Sequence, residues 1–384
     1  MNVLFYFVSQ INPRSGGTER VTDTVAHKLR ERGHVVYYMS RTKVEGDYDI
    51  PCFFLPDKYG ITTQNIAYIN RFCRDFKIDV VVNEAGNTDD IYLFSKEHVS
   101  GIRIVTALHF SPYMQFRHYY RSLYLPIGLR MPRKSLINLM KWIKAPYNKW
   151  RHWKNMVRRY RYMYAFSDKV VVLSPSYIRE FGEIAKLADT GKLYSISNPN
   201  PFTESKDLLE KKKMVLSIGR LEFSIKKVEY LLRIWKKVHV SHSDWVLSVC
   251  GDGSARCFLS DMVKREKIKA VHFEGNVFPK PYYEKAAIIC MTSLTEGMPM
   301  VVIEAMQSGC VPIVYDTFGA AKDMISDGVN GFIVPAFDKN LYAKRLLQLM
   351  ENAELLSCMR DEAIRSSRKY DCEEIIDKWE SLLV

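Results

Sequence analysis

Residues 293–335 read SLTEGMPMVVIEAMQSGCVPIVYDTFGAAKDMISDGVNGFIVP and contain two glutamates, Glu296 and Glu304, with seven residues between them. Gly297 and Pro299 follow the first glutamate and predict a turn. An apolar run compatible with a helix comes next, so Glu304 is expected one turn into that helix. The spacing therefore predicts that both carboxylates lie at a single strand-to-helix turn.

The backbone at the start of this helix is expected to bind an anion, because the first N–H groups of a helix have no partner within it. The residues that close the turn and open the helix are Gly297, Met298, Pro299, Met300 and Val301. Glu304 can accept hydrogen bonds from ribose hydroxyls, while Glu296 can reach a bound sugar ring. The turn thus predicts a site for a phosphorylated sugar. For each glutamate alone, a solvated carboxylate favoured by the helix dipole is the alternative.

Strand and helix patterns alternate along the rest of the chain. Residues 3–8 and 35–40 predict two strands near the N-terminus, and residues 311–315 predict a buried strand. Between the first two strands, Gly16 and Gly17 open a turn into a helix. Paired glycines let a ligand approach the backbone closely, although a plain strand-to-helix turn is the alternative. The alternation indicates an α/β fold.

A histidine follows another predicted strand. His109 comes directly after the apolar run at residues 104–108. A side chain that leaves the carboxyl end of a parallel strand points into the crevice where open α/β sheets bind ligands. His109 is therefore a candidate site residue, although a lone histidine at a strand end is more often structural.

Cations follow the strand predicted over residues 215–220. This strand ends in Gly219 and Arg220, and the next loop contains Lys226 and Lys227. Two fixed cations over a diphosphate would stabilise a nucleotide leaving group, on which charge develops as the glycosidic bond breaks. The sequence leaves open which of the two lysines binds phosphate, and solvated loop cations are the alternative.

Together these motifs resemble the retaining glycosyltransferases of family four, also called group 1. The resemblance is carried by EGMPMVVIEAMQSGCVPIV and GVNGFIVP within residues 296–335, by GGTE at residues 16–19, by His109 and by the segment 215–227. It extends over nearly the whole chain. The resemblance implies a GT-B architecture of the α/β class, in which two Rossmann-like domains face each other across a cleft.

The family pattern also implies roles for the candidate residues in the second half of the chain. Arg220 and Lys226 would neutralise the departing diphosphate, and the backbone at Asn276 and Val277 would face the nucleotide base. The cation loop departs from the pattern, since it is one residue longer than usual and Lys227 stands where the family commonly has glycine.

For the remaining candidates, the resemblance implies contacts with the other parts of the donor. Glu304 would hold the ribose, whereas Glu296 and His109 would position the donor sugar. The turn at Gly16 and Gly17 would contact the donor phosphates and border the acceptor.

The positive charge of the chain is concentrated in one segment. The 384 residues carry a formal net charge of +13, and residues 98–167 contain 14 Lys and Arg, many aromatic residues and no Asp or Glu. Basic residues with interfacial Trp and Tyr are attracted to anionic membrane surfaces. The residues predicted to meet the membrane or the acceptor are Trp150, Trp153, Arg158 and Arg159. Packing into the N-terminal domain, with solvated cations, is the alternative; nucleic acid is not a predicted partner, because no recognisable nucleic-acid module accompanies the segment.

Order and composition predict two domains. Residues 1–203 would form an N-terminal Rossmann-like acceptor domain that includes the basic stretch 98–167. Residues 204–369 would form the C-terminal donor-nucleotide domain, and residues 370–384 a helix that crosses back to the N-terminal domain, as in the family. No apolar run approaches the ~18 residues needed to span a bilayer, and cysteine usage suits a reducing cytoplasm.

The sequence therefore predicts a retaining, metal-independent hexosyltransferase without a cofactor, bound peripherally at the inner face of the cell membrane. It would move a sugar from a nucleoside diphosphate sugar, with UDP as first choice, to a membrane-associated glycan or glycolipid in lipopolysaccharide or capsule synthesis. A carboxylate pair at Asp47 and Asp49 only superficially matches a metal site. A nucleotide-sugar epimerase or hydrolase on the same fold, and a non-catalytic scaffold that binds nucleotide sugars, are the alternatives.

Overall fold

A computed structural model describes residues 1–13, 16–44, 49–86, 88–123, 132–202 and 210–384. The chain forms two compact units that are each assembled from separate segments. The first comprises Met1–Tyr113, His152–Pro201 and Tyr370–Val384; the second comprises Met114–Arg151 and Phe202–Lys369.

The first unit is built on a parallel sheet with the strand order β3-β2-β1-β4-β5-β6-β7. Its strands are β1 Asn2–Ser9, β2 Val35–Thr42, β3 Cys52–Phe54, β4 Val80–Asn83, β5 Arg103–Leu108, β6 Lys169–Val172 and β7 Leu193–Ser195. Alternate residues of β1 pack on opposite faces: Val3 and Phe5 on one, Leu4 and Tyr6 on the other. Both faces are therefore buried, as in doubly wound α/β proteins, and the strand order reverses between β1 and β4.

The second unit is built on a parallel sheet with the order β10-β9-β8-β11-β12-β13. Its strands are β8 Lys212–Ile218, β9 Val246–Cys250, β10 Val271–Gly275, β11 Ala286–Met291, β12 Val311–Tyr315 and β13 Phe332–Val334. A large core on one face includes Trp235, Leu247, Ile313 and Leu346.

The helices of the described residues complete both units. They are α1 Gly17–Glu31, α2 Thr63–Asp75, α3 Tyr119–Ser122, α4 Pro132–Phe166, α5 Pro175–Ala185, α6 Val228–Val238, α7 Arg256–Arg265, α8 Lys280–Lys285, α9 Met300–Gln307, α10 Ala320–Met324, α11 Lys339–Glu351, α12 Ala353–Ser367 and α13 Cys372–Leu383. In the first unit, α1 and α13 cover one face of the sheet, while α2 covers the other.

The predicted strands are confirmed, with small shifts at their ends. The strand predicted over residues 215–220 is β8, which begins earlier and ends at Ile218. It ends there because Gly219 adopts a φ of 148°, a backbone conformation that residues other than glycine rarely adopt. The strand predicted over residues 311–315 coincides with β12.

The two units differ from the predicted domains at the boundary, where Phe202 is already in the second unit, and in one internal segment. Residues 114–151 belong to the second unit, whereas the prediction placed all of residues 98–167 in the N-terminal domain. Residues 203 and 204, at the predicted boundary, lie outside the described residues, as does Asp47. The helix predicted over residues 370–384 is α13, which belongs to the first unit. Among the described residues, no helix combines the length and the apolar character needed to cross a membrane.

Candidate active site

A lysine and a glutamate meet at the turn between β11 and α9 in the second unit. The ammonium of Lys226 lies 2.6 Å from Oε1 of Glu296, and both side chains are mostly shielded from solvent. The Lys226 side chain also passes over Gly219, where an added Cβ would lie 3.3 Å from its Cε atom. Thus the structure brings together two of the predicted site residues at the carboxyl end of the sheet.

Hydrogen bonds join the loop of Lys226 to the loop of Glu296. Leu294 N donates to Ile225 O at 2.7 Å, and the Thr292 hydroxyl donates to Lys227 O at 3.0 Å. These bonds involve the backbone of both loops. They hold the backbone at Lys226 in a fixed position relative to the turn that contains Glu296.

The side chain of Lys227 bonds a backbone carbonyl of its own loop and not Glu296, the partner of Lys226. The backbone of Lys227 is left-handed, with a φ of 50°, and this residue forms the N-cap of α6. A left-handed residue is favourable for glycine and costly for other residues, so the glycine that the resemblance implies at this position would fit this backbone without strain. The Lys227 ammonium is buried and donates to Phe223 O at 2.8 Å, and burial lowers its pKa. The two neighbouring lysines therefore occupy different environments.

Arg220 lies directly after Gly219 but is not in contact with Glu296. Its side chain is 65% exposed, and its guanidinium lies 3.2 Å from the carboxylate of Glu222. An ion pair this exposed contributes about 0–1 kcal/mol. The arginine is accordingly held only weakly in this position.

Glu304 is buried one turn into α9. The residue is 1% exposed, and its Oε2 accepts a hydrogen bond of 2.7 Å from the hydroxyl of Tyr283, at the end of α8. Tyr283 is a functional candidate that the sequence analysis missed. Val277 packs against the same small core as Tyr283, so the loop predicted to face the nucleotide base lies near this pair; Asn276 in that loop is exposed.

The turn before α9 has the predicted form. Glu296 and Gly297 precede the buried Met298, Pro299 is the N-cap, and α9 begins at Met300. No side chain caps this helix N-terminus. In the first turn, Val302 N donates to Pro299 O at 3.0 Å. The amides of Met300 and Val301 come before it, where a helix offers no carbonyl four residues earlier, so they are the ones that an anion could meet.

In the first unit, the glycine pair is at the start of α1. Gly16 is the N-cap, and an added Cβ there would lie 2.3 Å from Oε2 of Glu19, whose side chain folds back over it. Gly17 is the first helical residue, and no atom of the described residues lies within 4 Å of a Cβ added to it. With respect to this described part of the chain, Gly17 has open space beside its backbone and Gly16 does not.

His109 follows β5 in the first unit and is paired with a carboxylate that the sequence analysis missed. Its Nε2 atom is in hydrogen-bond contact with Oε2 of Glu84, which follows the neighbouring strand β4. Both side chains are buried. A signal for Glu84 existed in the sequence: it comes directly after a strand, as His109 does, and such residues gather at the carboxyl edge of a parallel sheet.

The four residues predicted to meet a membrane have different environments. Trp150 and Arg158 are exposed. Trp153 is half-buried and stacks on Tyr113, with ring centroids 6.1 Å apart. Arg159 donates to a carboxylate oxygen of Asp89 at 2.6 Å.

The first turns of α4 carry an exposed apolar stripe. Its members are Leu136, Leu139, Met140, Ile143, Tyr147 and Trp150. Leu139 and Met140 lie three and four residues after Leu136, and the later members continue at these spacings, so all of them share one face of the helix. The exposed Lys144 and Arg151 border this stripe. An exposed apolar patch of this kind marks a site of contact with a protein or a membrane.

The described residues contain no group of three or more His, Cys, Asp or Glu side chains that could hold a metal ion.

Comparisons with known proteins agree with this fold. Residues 201–366 match the family model described as glycosyl transferases group 1, and residues 15–199 match that of glycosyltransferase family 4. A glycosyltransferase of Haemophilus influenzae is 26% identical over 401 residues, which is 100% of both chains. The GalNAc-alpha-(1->4)-GalNAc-alpha-(1->3)-diNAcBac-PP-undecaprenol alpha-1,4-N-acetyl-D-galactosaminyltransferase of Campylobacter jejuni is 29% identical over 230 residues, which is 58% of this chain and 62% of that relative.

A solved structure extends the likeness to the whole chain. Anabaena HepE in complex with UDP superposes with a TM-score of 0.73 at 17% identity, over 100% of this chain and 99% of that one. The likeness confirms the predicted GT-B fold class. The two family models adjoin each other and together account for most of the sequence. The chain therefore belongs to the glycosyl transferases group 1 and is a glycosyltransferase.

Proposed function

We propose that this glycosyltransferase transfers a sugar from a UDP-sugar to a membrane-linked glycan or glycolipid in cell-surface polysaccharide synthesis. The transfer would retain the anomeric configuration and need no metal. One observation carries the donor half of the proposal: Lys226 pairs with Glu296 at the turn whose helix holds the buried Glu304. The UDP bound to Anabaena HepE and the undecaprenol-linked acceptor named for the Campylobacter relative support the choice of donor and acceptor.

We assign the diphosphate to Lys226 and Arg220. The Lys226 ammonium lies at the glutamate turn, whereas that of Lys227 is buried against a backbone carbonyl. Arg220 is exposed and can leave Glu222 at little cost. Two cations would stabilise the charge that develops on the leaving diphosphate. Retention by front-face attack and retention through a covalent intermediate are both compatible with this arrangement.

Nucleotide titration tests the donor assignment. The purified protein is titrated calorimetrically with UDP, GDP, ADP and dTDP in the absence of added metal. Binding of UDP alone is the expected result, and Glu304→Ala is expected to lose it. Preferential binding of another nucleotide would replace UDP as the donor nucleotide, and binding of none of the four would contradict the donor-site assignment.

A transfer assay separates the enzymatic alternatives. With a UDP-sugar and a lipid-linked glycan, turnover is expected to depend on the acceptor, and NMR coupling constants of the product are expected to show retention. An epimerase or hydrolase would turn over the donor fully without acceptor. Inversion of the anomeric centre would contradict the proposed stereochemistry.

The acceptor half of the proposal depends on the apolar stripe of α4. The stripe would insert between lipid headgroups, while Lys144 and Arg151 at its border would meet anionic phosphates, each worth about 1 kcal/mol near the surface. This combination favours a membrane over a protein partner, because the whole basic stretch 98–167 contains no acidic residue. We propose that the enzyme works at the inner face of the cell membrane.

Negative charge placed on the apolar stripe of α4 is expected to reduce membrane binding strongly. The double variant Leu139→Glu/Ile143→Glu should reduce binding to liposomes that contain anionic lipid by more than tenfold, since both side chains are exposed and in the stripe. Co-sedimentation measures this effect. The matched control is Val240→Glu, which changes a valine that is 84% exposed outside the stripe. Equal liposome binding by the wild type and the double variant would contradict the membrane assignment.

A methyl group at Gly17 is expected to interfere with the donor but not with folding. Gly17→Ala should unfold at the same temperature as the wild type or slightly above it, because the added Cβ meets no described residue within 4 Å and alanine favours helices. If this turn approaches the donor phosphates, the KM for the UDP-sugar should rise by about tenfold, which is ~1.4 kcal/mol. An unchanged KM in the folded variant would remove the turn from the donor site.

A further inference from the structure

The contact between Glu84 and His109 fixes the chemistry of the imidazole. The carboxylate of Glu84 can only accept, so the proton must lie on His109 Nε2, which donates it. Nδ1 is then the ring nitrogen that can meet a ligand, since it has no hydrogen-bond partner among the described residues. Both side chains are almost fully buried. A buried ionisable group is costly unless it is paired, so the contact stabilises both partners.

The backbone around the pair is arranged to bring the two side chains together. β4 and β5 are neighbouring parallel strands, with Asn83 in register with Thr106. The residues that follow the two strands therefore lie at the same edge of the sheet. The loop after β4 then lies directly on the end of β5. A Cβ added to Gly86 would lie only 2.4 Å from Ala107 O, a distance that real side chains do not reach. Only glycine lets the loop of Glu84 come so close to the strand that leads to His109.

We propose that Glu84 is a positioning residue, which holds the His109 ring in the tautomer with Nε2 protonated and presents Nδ1 to a hydroxyl of the donor sugar. A carboxylate behind a histidine sets its tautomer and its ring orientation, as it does for metal-bound histidines. A ring fixed in this way loses little conformational freedom when it binds the sugar. The sugar as the ligand rests on the proposed function, whereas the tautomer does not.

Nitrogen NMR of histidine-labelled protein tests the tautomer without any activity measurement. His109 signals are assigned by their loss in His109→Asn. In the wild type, we expect Nε2 to be protonated and Nδ1 to be unprotonated. Glu84→Ala should weaken this preference to the tautomer ratio of an unconstrained imidazole, and Glu84→Gln should give a mixture, because an amide can both accept and donate. A tautomer that is the same in all three proteins would overturn the proposal.

Kinetics test the effect on sugar transfer. Glu84→Ala should lower kcat by about 10–100-fold, the usual loss when such a supporting partner is removed. The double variant Glu84→Ala/His109→Ala should be no slower than His109→Ala alone, and UDP affinity should be unchanged in all of them. Gly86→Ala should reproduce the loss, because its loop must withdraw. Multiplicative losses in the double variant would overturn the positioning role.

Another carboxylate of the first unit, Glu97, provides the matched control. Glu97→Gln changes an exposed carboxylate of the same unit that bonds Tyr162, and it should keep wild-type kcat. If the wild type shows the expected tautomer but transfers no sugar, the proposed function fails while the positioning of His109 by Glu84 stands. If sugar transfer is intact in Glu84→Ala, the positioning role is wrong while the proposed function stands.

Discussion

Replacing Glu304 by alanine is expected to weaken UDP binding by about a hundredfold. A hydrogen bond to a charged group contributes about 1.5–3 kcal/mol, and the loss of about 2.7 kcal/mol corresponds to a hundredfold change in Kd. The carboxylate of Glu304 is buried and already oriented by the Tyr283 hydroxyl, so its bonds to ribose would be formed at little entropic cost. Calorimetry with UDP measures the effect.

The choice of nucleotide makes this test specific for ribose. Uridine diphosphate that lacks both ribose hydroxyls should bind the wild type and Glu304→Ala equally, because the interaction lost in the variant is already absent from the ligand. If the variant discriminated between the two nucleotides as strongly as the wild type does, Glu304 would have no role at the ribose.

A stability control is needed because Glu304→Ala leaves the buried Tyr283 hydroxyl without this acceptor, at a cost of about 1–3 kcal/mol. The double variant Glu304→Ala/Tyr283→Phe removes both partners and should recover much of the thermal stability. It should not recover UDP affinity. This divergence separates an effect on the site from an effect on the fold.

Replacing Lys226 by alanine is expected to reduce kcat by 100-fold or more, in line with the loss of one electrostatic group at a transition state, which costs about 10²–10³. The reason is that charge develops on the diphosphate during transfer, so the ammonium contributes more in the transition state than in the bound donor. UDP affinity should fall less than kcat. Steady-state kinetics with saturating donor and acceptor measures the effect.

Lys227→Gly is the matched control for Lys226→Ala. It removes the neighbouring cation and places glycine at a φ of 50°, a conformation that glycine adopts without strain. Because the Lys227 ammonium is buried against Phe223 O, the variant should retain wild-type kcat and change only stability. If Lys227→Gly lost activity and Lys226→Ala kept it, the assignment of the diphosphate ligand would be reversed.

The elements that the sequence predicted are those set by local pattern. The turn at Glu296 and the helix that carries Glu304 follow from glycine, proline and an apolar run, all within a dozen residues. The partners of the site residues do not follow from such patterns. Tyr283 meets Glu304, and Glu84 meets His109, only because separate strands and helices pack together. Whether Lys226 or Lys227 reaches the turn depends on the left-handed backbone at Lys227 and on the Phe223 carbonyl that holds its ammonium.

The segment 98–167 shows the same limit. Its composition predicted a basic, aromatic surface, and residues 136–150 do expose an apolar stripe bordered by cations. Composition did not separate this part from the rest of the helix, where Trp153 packs on Tyr113 and Arg159 pairs with Asp89. Nor did it indicate that residues 114–151 belong to a different unit from residues 152–201.

The position of α13 has a consequence for how the protein is made. Its side chains Ile375, Ile376 and Trp379 belong to the core that contains Val3 and Phe5, and its Glu380 pairs with Arg32 at the end of α1. The first strand is translated early, but its core is completed only when the residues of α13, far along the chain, have also been translated. Contacts of such high sequence separation are slow to form. We therefore expect the first unit to finish folding only after α13 has left the ribosome, and truncation before α13 to yield an incomplete first core that is prone to aggregate.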